Sequence, residues 1–140
     1  MKLVYLFFCL FVISCGNNNQ VPAGEPNTAA APQQQYQILE GVFSAAQITQ
    51  AFADNEVKAD ADFKNKMLYA NGTIHAITNR DGKAVVQLTG HNGFSTLDCI
   101  MGDNNEAMQL KKGDTITLFG GCVGMELMDA TMVGCKIATP

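Results

Sequence analysis

The stretch that most constrains the fold is residues 110–137, with the sequence LKKGDTITLFGGCVGMELMDATMVGCKI. A Gly-Asp turn signal opens it, and Ile116 and Leu118 then occupy alternate positions. A glycine-rich segment around Cys122 follows, and residues 129–137 alternate again. Alternation with a period of two residues is the pattern of half-buried strands, and glycine permits a sharp bend. The stretch therefore predicts two strands joined at a glycine-rich corner that holds Cys122.

Three further segments with the same period lie upstream, at residues 67–77, 83–89 and 94–101, separated by turn signals rich in glycine and asparagine. Residues 104–110 have the composition of a short helical turn. Five short strands with a helical turn between the third and the fourth are typical of the OB-fold, a partly open Greek-key barrel. We therefore predict a mainly β domain built on a five-stranded OB-fold barrel. A small β-sandwich is the competing architecture.

A helix is predicted to open this domain. Ser44 and Gln47 match a capping box. In this motif the side chain of the first residue accepts from the backbone N–H three positions on, and the side chain of the second residue accepts from the backbone N–H of the first. Apolar residues then recur at helical spacing as far as Phe63. The sequence therefore predicts one helix over residues 45–63 that packs on the barrel.

The amino-terminal segment has the pattern of a bacterial export signal. Lys2 precedes an unbroken apolar run at residues 3–13. The run is too short for a transmembrane helix, which needs about twenty residues, but it fits the apolar region of a signal peptide. It ends in Val-Ile-Ser-Cys, which resembles the lipobox of bacterial lipoproteins. The resemblance implies cleavage after Ser14 and S-diacylation of Cys15 by fatty acids such as palmitate. An ordinary secretory signal with a chance cysteine is the alternative.

This resemblance divides the chain into three parts. Residues 1–14 are predicted to be a signal peptide. Residues 15–37 are predicted to be a lipid-anchored flexible tether, because a segment rich in Asn, Gln, Ala and Pro buries too little apolar surface to fold. Residues 38–140 are predicted to be the OB-fold domain. Because Gly16 follows Cys15 where an aspartate would favour the inner membrane, the expected location is the outer membrane, facing the periplasm.

Several short motifs follow one another in the predicted domain. They are the strand containing Gly72-Thr73-Ile74, the cysteine at position 99, KGDTIT at residues 112–117, GGCVG at residues 120–124 and the last strand with Cys135. In this order and spacing they resemble the tRNA-anticodon-like OB-fold family of bacterial envelope lipoproteins. The resemblance covers residues 44–137 and implies an OB-fold. The family name records a likeness to anticodon-binding domains and implies no particular activity.

Three cysteines remain in the mature domain, because Cys9 leaves with the signal peptide and Cys15 is lipidated. The envelope is an oxidising compartment, so a disulfide is expected among them. The preferred pair is Cys122 with Cys135, which would close a small loop around the last corner. The rival pair is Cys99 with Cys135, because the third and fifth strands of an OB-fold barrel are neighbours. Either pairing leaves one free thiol.

The motifs of common catalytic sites do not occur in the sequence, which has no nucleophile elbow, P-loop, HExxH or Rossmann glycine pattern. His75 is expected on the polar face of a strand and His91 in a turn, and neither is expected to join the cysteines as a metal ligand. We therefore predict no catalytic residues, no metal site and no cofactor.

These observations favour a non-catalytic binding module that is attached to the membrane through Cys15 and recognises an envelope protein, peptide or glycan. Nucleic-acid binding is the alternative, but the net charge of −4 argues against a phosphate backbone as partner. The predicted second and third strands also offer only Lys83 and Phe94 as basic and aromatic contacts. A thiol-dependent envelope enzyme is the second alternative.

Overall fold

The computed structural model describes residues 37–139. The elements in chain order are β1 (Gln37–Ser44), α1 (Ala45–Asp54), α2 (Glu56–Phe63), β2 (Lys66–Arg80), β3 (Lys83–Thr89), β4 (Thr96–Met101), α3 (Asn104–Ala107), β5 (Thr115–Glu126) and β6 (Asp129–Ile137). The predicted signal peptide, Cys15 and all of the predicted tether except Gln37 lie outside the described residues. Within them, no helix has the length and apolar character needed to cross a bilayer.

Strands β2 to β6 form a closed mixed barrel. Their order in the sheet is β2-β3-β4-β6-β5, and the barrel closes because the first half of β2 pairs with β5. Strands β4 and β6 run parallel, and the other pairs within the barrel are antiparallel. The predicted five-stranded OB-fold is confirmed, and the helical turn α3 lies between its third and fourth strands as expected.

The core fills the barrel and the contact between the barrel and the helices. The largest fully buried apolar side chains are Ile48, Leu68, Ile74, Leu88, Leu97, Met101, Leu118 and Met132. Each large aliphatic side chain removed from water in this way contributes about 1.5–3 kcal/mol. Phe63 of α2 contacts the ring of Phe43 edge-on at 5.4 Å and lies 6.3 Å from Phe52 of α1. These contacts hold the helices against the barrel.

The predicted single helix is two helices that meet at Asn55. The capping box is confirmed, because the Ser44 N–H donates to Gln47 Oε1 at 2.8 Å and the Gln47 N–H donates to Ser44 Oγ at 3.1 Å. Asn55 has extended backbone angles, φ −162° and ψ 94°, and its side-chain oxygen accepts from the Lys58 N–H. The prediction of one helix was wrong because the apolar spacing continues to Phe63 on both sides of this break.

Strand β1 precedes the helices and was not predicted. It pairs in parallel with the first half of β2, and its register shifts between Ile38 and Val42. Gly41 lies in that bulge with φ +93°. Most of β1 is exposed, so its residues lack the alternation of a half-buried strand. Its backbone hydrogen bonds to β2, which the sequence does not reveal, define it.

The glycine-rich segment does not form the corner that was predicted for it. Strand β5 continues through these glycines to Glu126, and the turn is made by residues 127 and 128. A Cβ atom on Gly120 would lie 2.6 Å from Cys135 Sγ. The absence of a side chain therefore allows close approach of β5 to β6, and the glycine is needed for packing between the strands.

Candidate functional site

The outer face of β3 and β4, on which OB-folds commonly bind oligonucleotides, carries a closed polar network in this protein. Arg80 Nη2 donates to Asp98 Oδ2 at 2.6 Å, so the side chain of Arg80 crosses β3 from β2 to β4. Gln87 Nε2 and Thr96 Oγ1 both donate to Asp98 Oδ1 at 2.9 Å. The Asp98 side chain is only 2% exposed. The Arg80 cation is therefore already neutralised.

A second face, formed by β2, β5 and β6, carries one exposed and one half-buried aromatic ring. Tyr69 on β2 is directly opposite Phe119 on β5, and Phe119 is opposite Lys136 on β6. The ring centroids of Tyr69 and Phe119 are 4.7 Å apart with an interplanar angle of 42°, and Lys136 Nζ lies 5.4 Å from the Phe119 centroid. We call these three residues the aromatic row. Val42, paired with Tyr69, extends the aromatic row onto β1.

Two depressions flank the aromatic row. A groove of about 360 Å³ is lined by Gly41, Val42, Tyr69, Thr117, Ala138 and Thr139. A second depression of about 280 Å³ is lined by Tyr69, Phe119, Lys136 and residues 137–139. Asn71 donates through Nδ2 to Thr117 Oγ1 at 3.0 Å, which fixes the polar wall of the groove. The aromatic row thus offers ring faces, one cation and hydroxyl groups at one surface.

Comparison with known proteins agrees with this architecture. The sequence model of the tRNA_anti-like family matches residues 1–137. The chain belongs to the tRNA_anti-like family. No curated protein matches it significantly.

Solved structures similar to this tRNA_anti-like protein include a candidate nucleic acid-binding lipoprotein of Klebsiella pneumoniae. It is 20% identical, with 71% of this chain and 92% of that chain covered and a TM-score of 0.58. This likeness supports the fold. Two weaker likenesses were found. The S. pombe Stn1-ten1 complex is 16% identical, with 53% of this chain and 59% of that chain covered and a TM-score of 0.39. The OBody NL8 bound to hen egg-white lysozyme is 9% identical, with 54% of this chain and 97% of that chain covered and a TM-score of 0.40. Because both TM-scores are below 0.5, neither structure supports a conclusion about this chain.

All three cysteines of the tRNA_anti-like domain are buried thiols in the structure. The neighbouring Cys135 thiol, together with burial, raises the pKa of Cys99 well above its ordinary value. Burial raises the pKa of Cys122 to about 11. A nucleophilic thiol needs a lowered pKa and access to solvent. The environment of these two thiols is therefore the opposite of the one that thiol catalysis requires.

The strand register places none of the three cysteines directly opposite another. Cys122 is opposite Met132, and Cys135 is opposite Met101. Cys135 is the neighbouring thiol that raises the pKa of Cys99, and these two residues are the rival pair. Both pairings, Cys122 with Cys135 and Cys99 with Cys135, stay predictions.

The two histidines lie on different elements. His75 is exposed on β2, and His91 lies in the loop before β4. The His91 N–H donates to Thr49 Oγ1 at 3.0 Å, and Ser95 Oγ lies 3.2 Å from His91 Nδ1. This small polar cluster attaches the loop to α1. Among residues 37–139, no three His, Cys, Asp or Glu side chains are arranged to hold a metal ion.

The aromatic row was not predicted from the sequence, although part of its signal is present there. Alternation around the buried Leu68 and Leu118 directs Tyr69 and Phe119 outward. The pairing of the two rings depends on the register between β2 and β5, which the sequence does not reveal. Phe94, which was predicted to begin the third strand, lies in the loop before β4 and is 93% exposed.

Proposed function

We propose that this tRNA_anti-like protein is a non-catalytic, lipid-anchored binding module of the bacterial cell envelope, and that its ligand lies across the aromatic row. The observation that carries the proposal is the juxtaposition of Tyr69, Phe119 and Lys136 beside the 360 Å³ groove. Ligand sites are typically concave and mainly apolar with a few polar groups, and this surface has that composition.

The physical properties of the aromatic row suit a ligand with flat or apolar faces. Aromatic rings supply a large contact area at low conformational-entropy cost. All three side chains of the row stand on paired strands, so the rings are held in place before a ligand arrives. Lys136 and the hydroxyl of Thr117 supply directional polar contacts at the two sides. A protein, peptide or glycan of the envelope matches this chemistry.

The amino-terminal sequence supports the anchor. The tetrapeptide ending at Cys15 has the lipobox pattern, and two or three acyl chains would give stable attachment where a single chain is reversible. The polar segment after Cys15 would hold the domain away from the bilayer. The proposed location is the outer membrane, with the domain facing the periplasm.

The proposal is tested by capture of partners from chemically crosslinked envelopes, with the intact protein and its Cys15→Ser variant compared. Growth with an alkyne-bearing palmitate gives a parallel readout of lipidation. We expect a labelled intact protein, an unlabelled variant and a partner enriched with the intact protein. An unlabelled intact protein would contradict the anchor, and the absence of any enriched partner would contradict the binding role.

Nucleic-acid binding is a second candidate function, favoured by the same rings and cation. Single strands stack their bases on aromatic side chains and place phosphates near cations. The similar Klebsiella pneumoniae structure is described as that of a candidate nucleic acid-binding lipoprotein. The net charge of −4 opposes this role. A salt titration of fluorescent oligothymidylate decides it, because no binding at low salt would eliminate this function.

A further inference from the structure

A second surface, at one end of the barrel, exposes three large apolar side chains. Phe94 is 93% exposed, Leu127 88% and Met128 85%. Phe94 lies in the loop that leads into β4, and Leu127 and Met128 form the turn that leads into β6. Since β4 and β6 are parallel neighbours with Leu97 opposite Ala130, the two loops lie side by side. We call Phe94, Leu127 and Met128 the apolar tip.

A cavity of about 100 Å³ lies beneath the apolar tip. It is lined on the helix side by Thr49, Phe52 and Ala53 and on the loop side by His91, Ser95, Met125 and Met128. The cavity is large enough for a small apolar group. Methionine side chains are flexible and polarisable, so they adapt to partners of different shape. The apolar tip therefore combines protruding apolar groups with a recess that one further side chain could enter.

The backbone of the turn is strained in a way that presents Leu127 to solvent. Leu127 has φ +61°, and the Met128 N–H donates to Glu126 O at 2.8 Å, which closes a tight turn around Leu127. Glycine or asparagine is the ordinary choice at such a position, because a bulky side chain is disfavoured at positive φ. Leu127 makes this turn less stable and gains no burial in return. Strain of this kind points to a function for the side chain.

The charges around the apolar tip indicate what kind of partner fits it. Residues 53–57, 90–95 and 125–129 contain no Lys or Arg, and their carboxylates are Asp54, Glu56, Glu126 and Asp129. The adjoining bases are Lys58 and Lys64, the second of which lies beside Gly124, and they are already paired with Asp62 and Asp60. None of the four carboxylates named above forms an ion pair within the described part of the chain. The carboxylates would repel an anionic lipid surface and attract cationic side chains.

From the apolar groups, the strain and the charges together, we propose that the apolar tip docks a cationic amphipathic segment of a partner protein. Apolar side chains of that segment contact Phe94, Leu127 and Met128, and its lysine or arginine side chains pair with the surrounding carboxylates. This site is separate from the aromatic row and does not depend on the ligand proposed there.

The test uses the chain from position 15 onward, expressed without the predicted signal peptide and carrying Cys15→Ser. This removes both the apolar leader at residues 3–13 and the acylated residue, and with them the need for detergent. The probe is a fluorescent amphipathic helical peptide of leucine and lysine, and its counterpart has glutamate in place of lysine. Vesicles of phosphatidylethanolamine and phosphatidylglycerol are the lipid comparison. The variants are Leu127→Gly and Phe94→Ser, and the control is Met108→Ser, because Met108 is 77% exposed on α3.

We expect the lysine peptide to bind, the glutamate peptide and the vesicles not to bind, and Leu127→Gly and Phe94→Ser each to weaken binding by about tenfold. Leu127→Gly should also raise the melting temperature, since glycine relieves the strain at positive φ. The control should leave binding unchanged. Equal binding by wild type and Leu127→Gly would overturn the proposal. The carboxylates remain in that variant, so such a result would mean that they bind the peptide without the apolar contact. Binding to the glutamate peptide or preferentially to vesicles would also overturn it.

Discussion

At the scale of single residues, Asp98 links three strands through one buried carboxylate. Its partners Arg80, Gln87 and Thr96 satisfy both oxygens. Removing one member of a buried pair leaves an uncompensated charge, which costs more than the pair itself contributes. The network therefore behaves as a unit, and its contribution is measurable only by paired substitutions.

We expect Arg80→Met to lower the free energy of unfolding by about 2 kcal/mol, because loss of the guanidinium leaves the buried Asp98 carboxylate charged and without its cation. In an Asp98→Asn background the same substitution should cost less. Urea unfolding of the four proteins in this cycle measures the coupling. Equal losses in both backgrounds would show that the ion pair is not what stabilises this face.

Burial of Cys122 predicts a pH dependence of stability in the reduced protein. Its pKa is raised from 9.0 to about 11, so between those values the unfolded thiol ionises and the folded one does not. The unfolded state then binds fewer protons, and stability falls as pH rises. We expect the free energy of unfolding to fall by about 2 kcal/mol more in wild type than in Cys122→Ala over this range. Identical slopes for the two proteins would contradict this account of the thiol.

The disulfide prediction is tested by peptide mapping of protein isolated from envelopes under non-reducing conditions. Because the envelope is oxidising, one linked pair is expected, and the peptides containing Cys99 or Cys122 identify which one is joined to Cys135. Three unlinked peptides would contradict both pairings.

At the scale of secondary-structure elements, Asn55 ends α1 and begins α2. Its backbone N–H donates to Ala51 O at 3.0 Å, and its side chain caps α2. Helix periodicity did not reveal this break, since Ala59 and Phe63 still face the barrel after it. The break allows α2 to lie along β5 while α1 contacts β4 and β6.

Asn55→Ala should therefore lower the free energy of unfolding by about 1 kcal/mol, which is the usual effect of losing an N-cap. Asn55→Asp keeps a side-chain acceptor and should stay within a few tenths of wild type. Thermal or urea unfolding of both variants provides the comparison. Equal stability of wild type and Asn55→Ala would mean that the cap does not contribute.

At the scale of the whole molecule, local patterns predicted the barrel well. Strands β3 and β6 have the bounds expected from alternation and turn signals, and α3 lies where the helical turn was expected. Strand β1 and the length of β5 were missed, because exposure and glycine both weaken alternation in these segments. Local pattern therefore specifies the strands whose inner face is fully buried.

The candidate site was less accessible to sequence reasoning than the fold. The aromatic row joins residues 69, 119 and 136, which meet only after β2, β5 and β6 have found their register. Likewise, Arg80 and Asp98 become partners only when β3 lies between their strands. Contacts between distant strands are properties of the assembled barrel, so no local pattern encodes them.

Photocrosslinking in living cells tests the proposed binding surface most directly. The protein carries p-benzoylphenylalanine in place of Tyr69 or, as a control on the same strand, in place of His75, which is also exposed. Digestion of the adduct with protease, glycosidase or nuclease then identifies the class of ligand. Ligand binding across the aromatic row predicts an adduct from position 69 and little or none from position 75. No adduct from position 69, or equal yields from both positions, would contradict it.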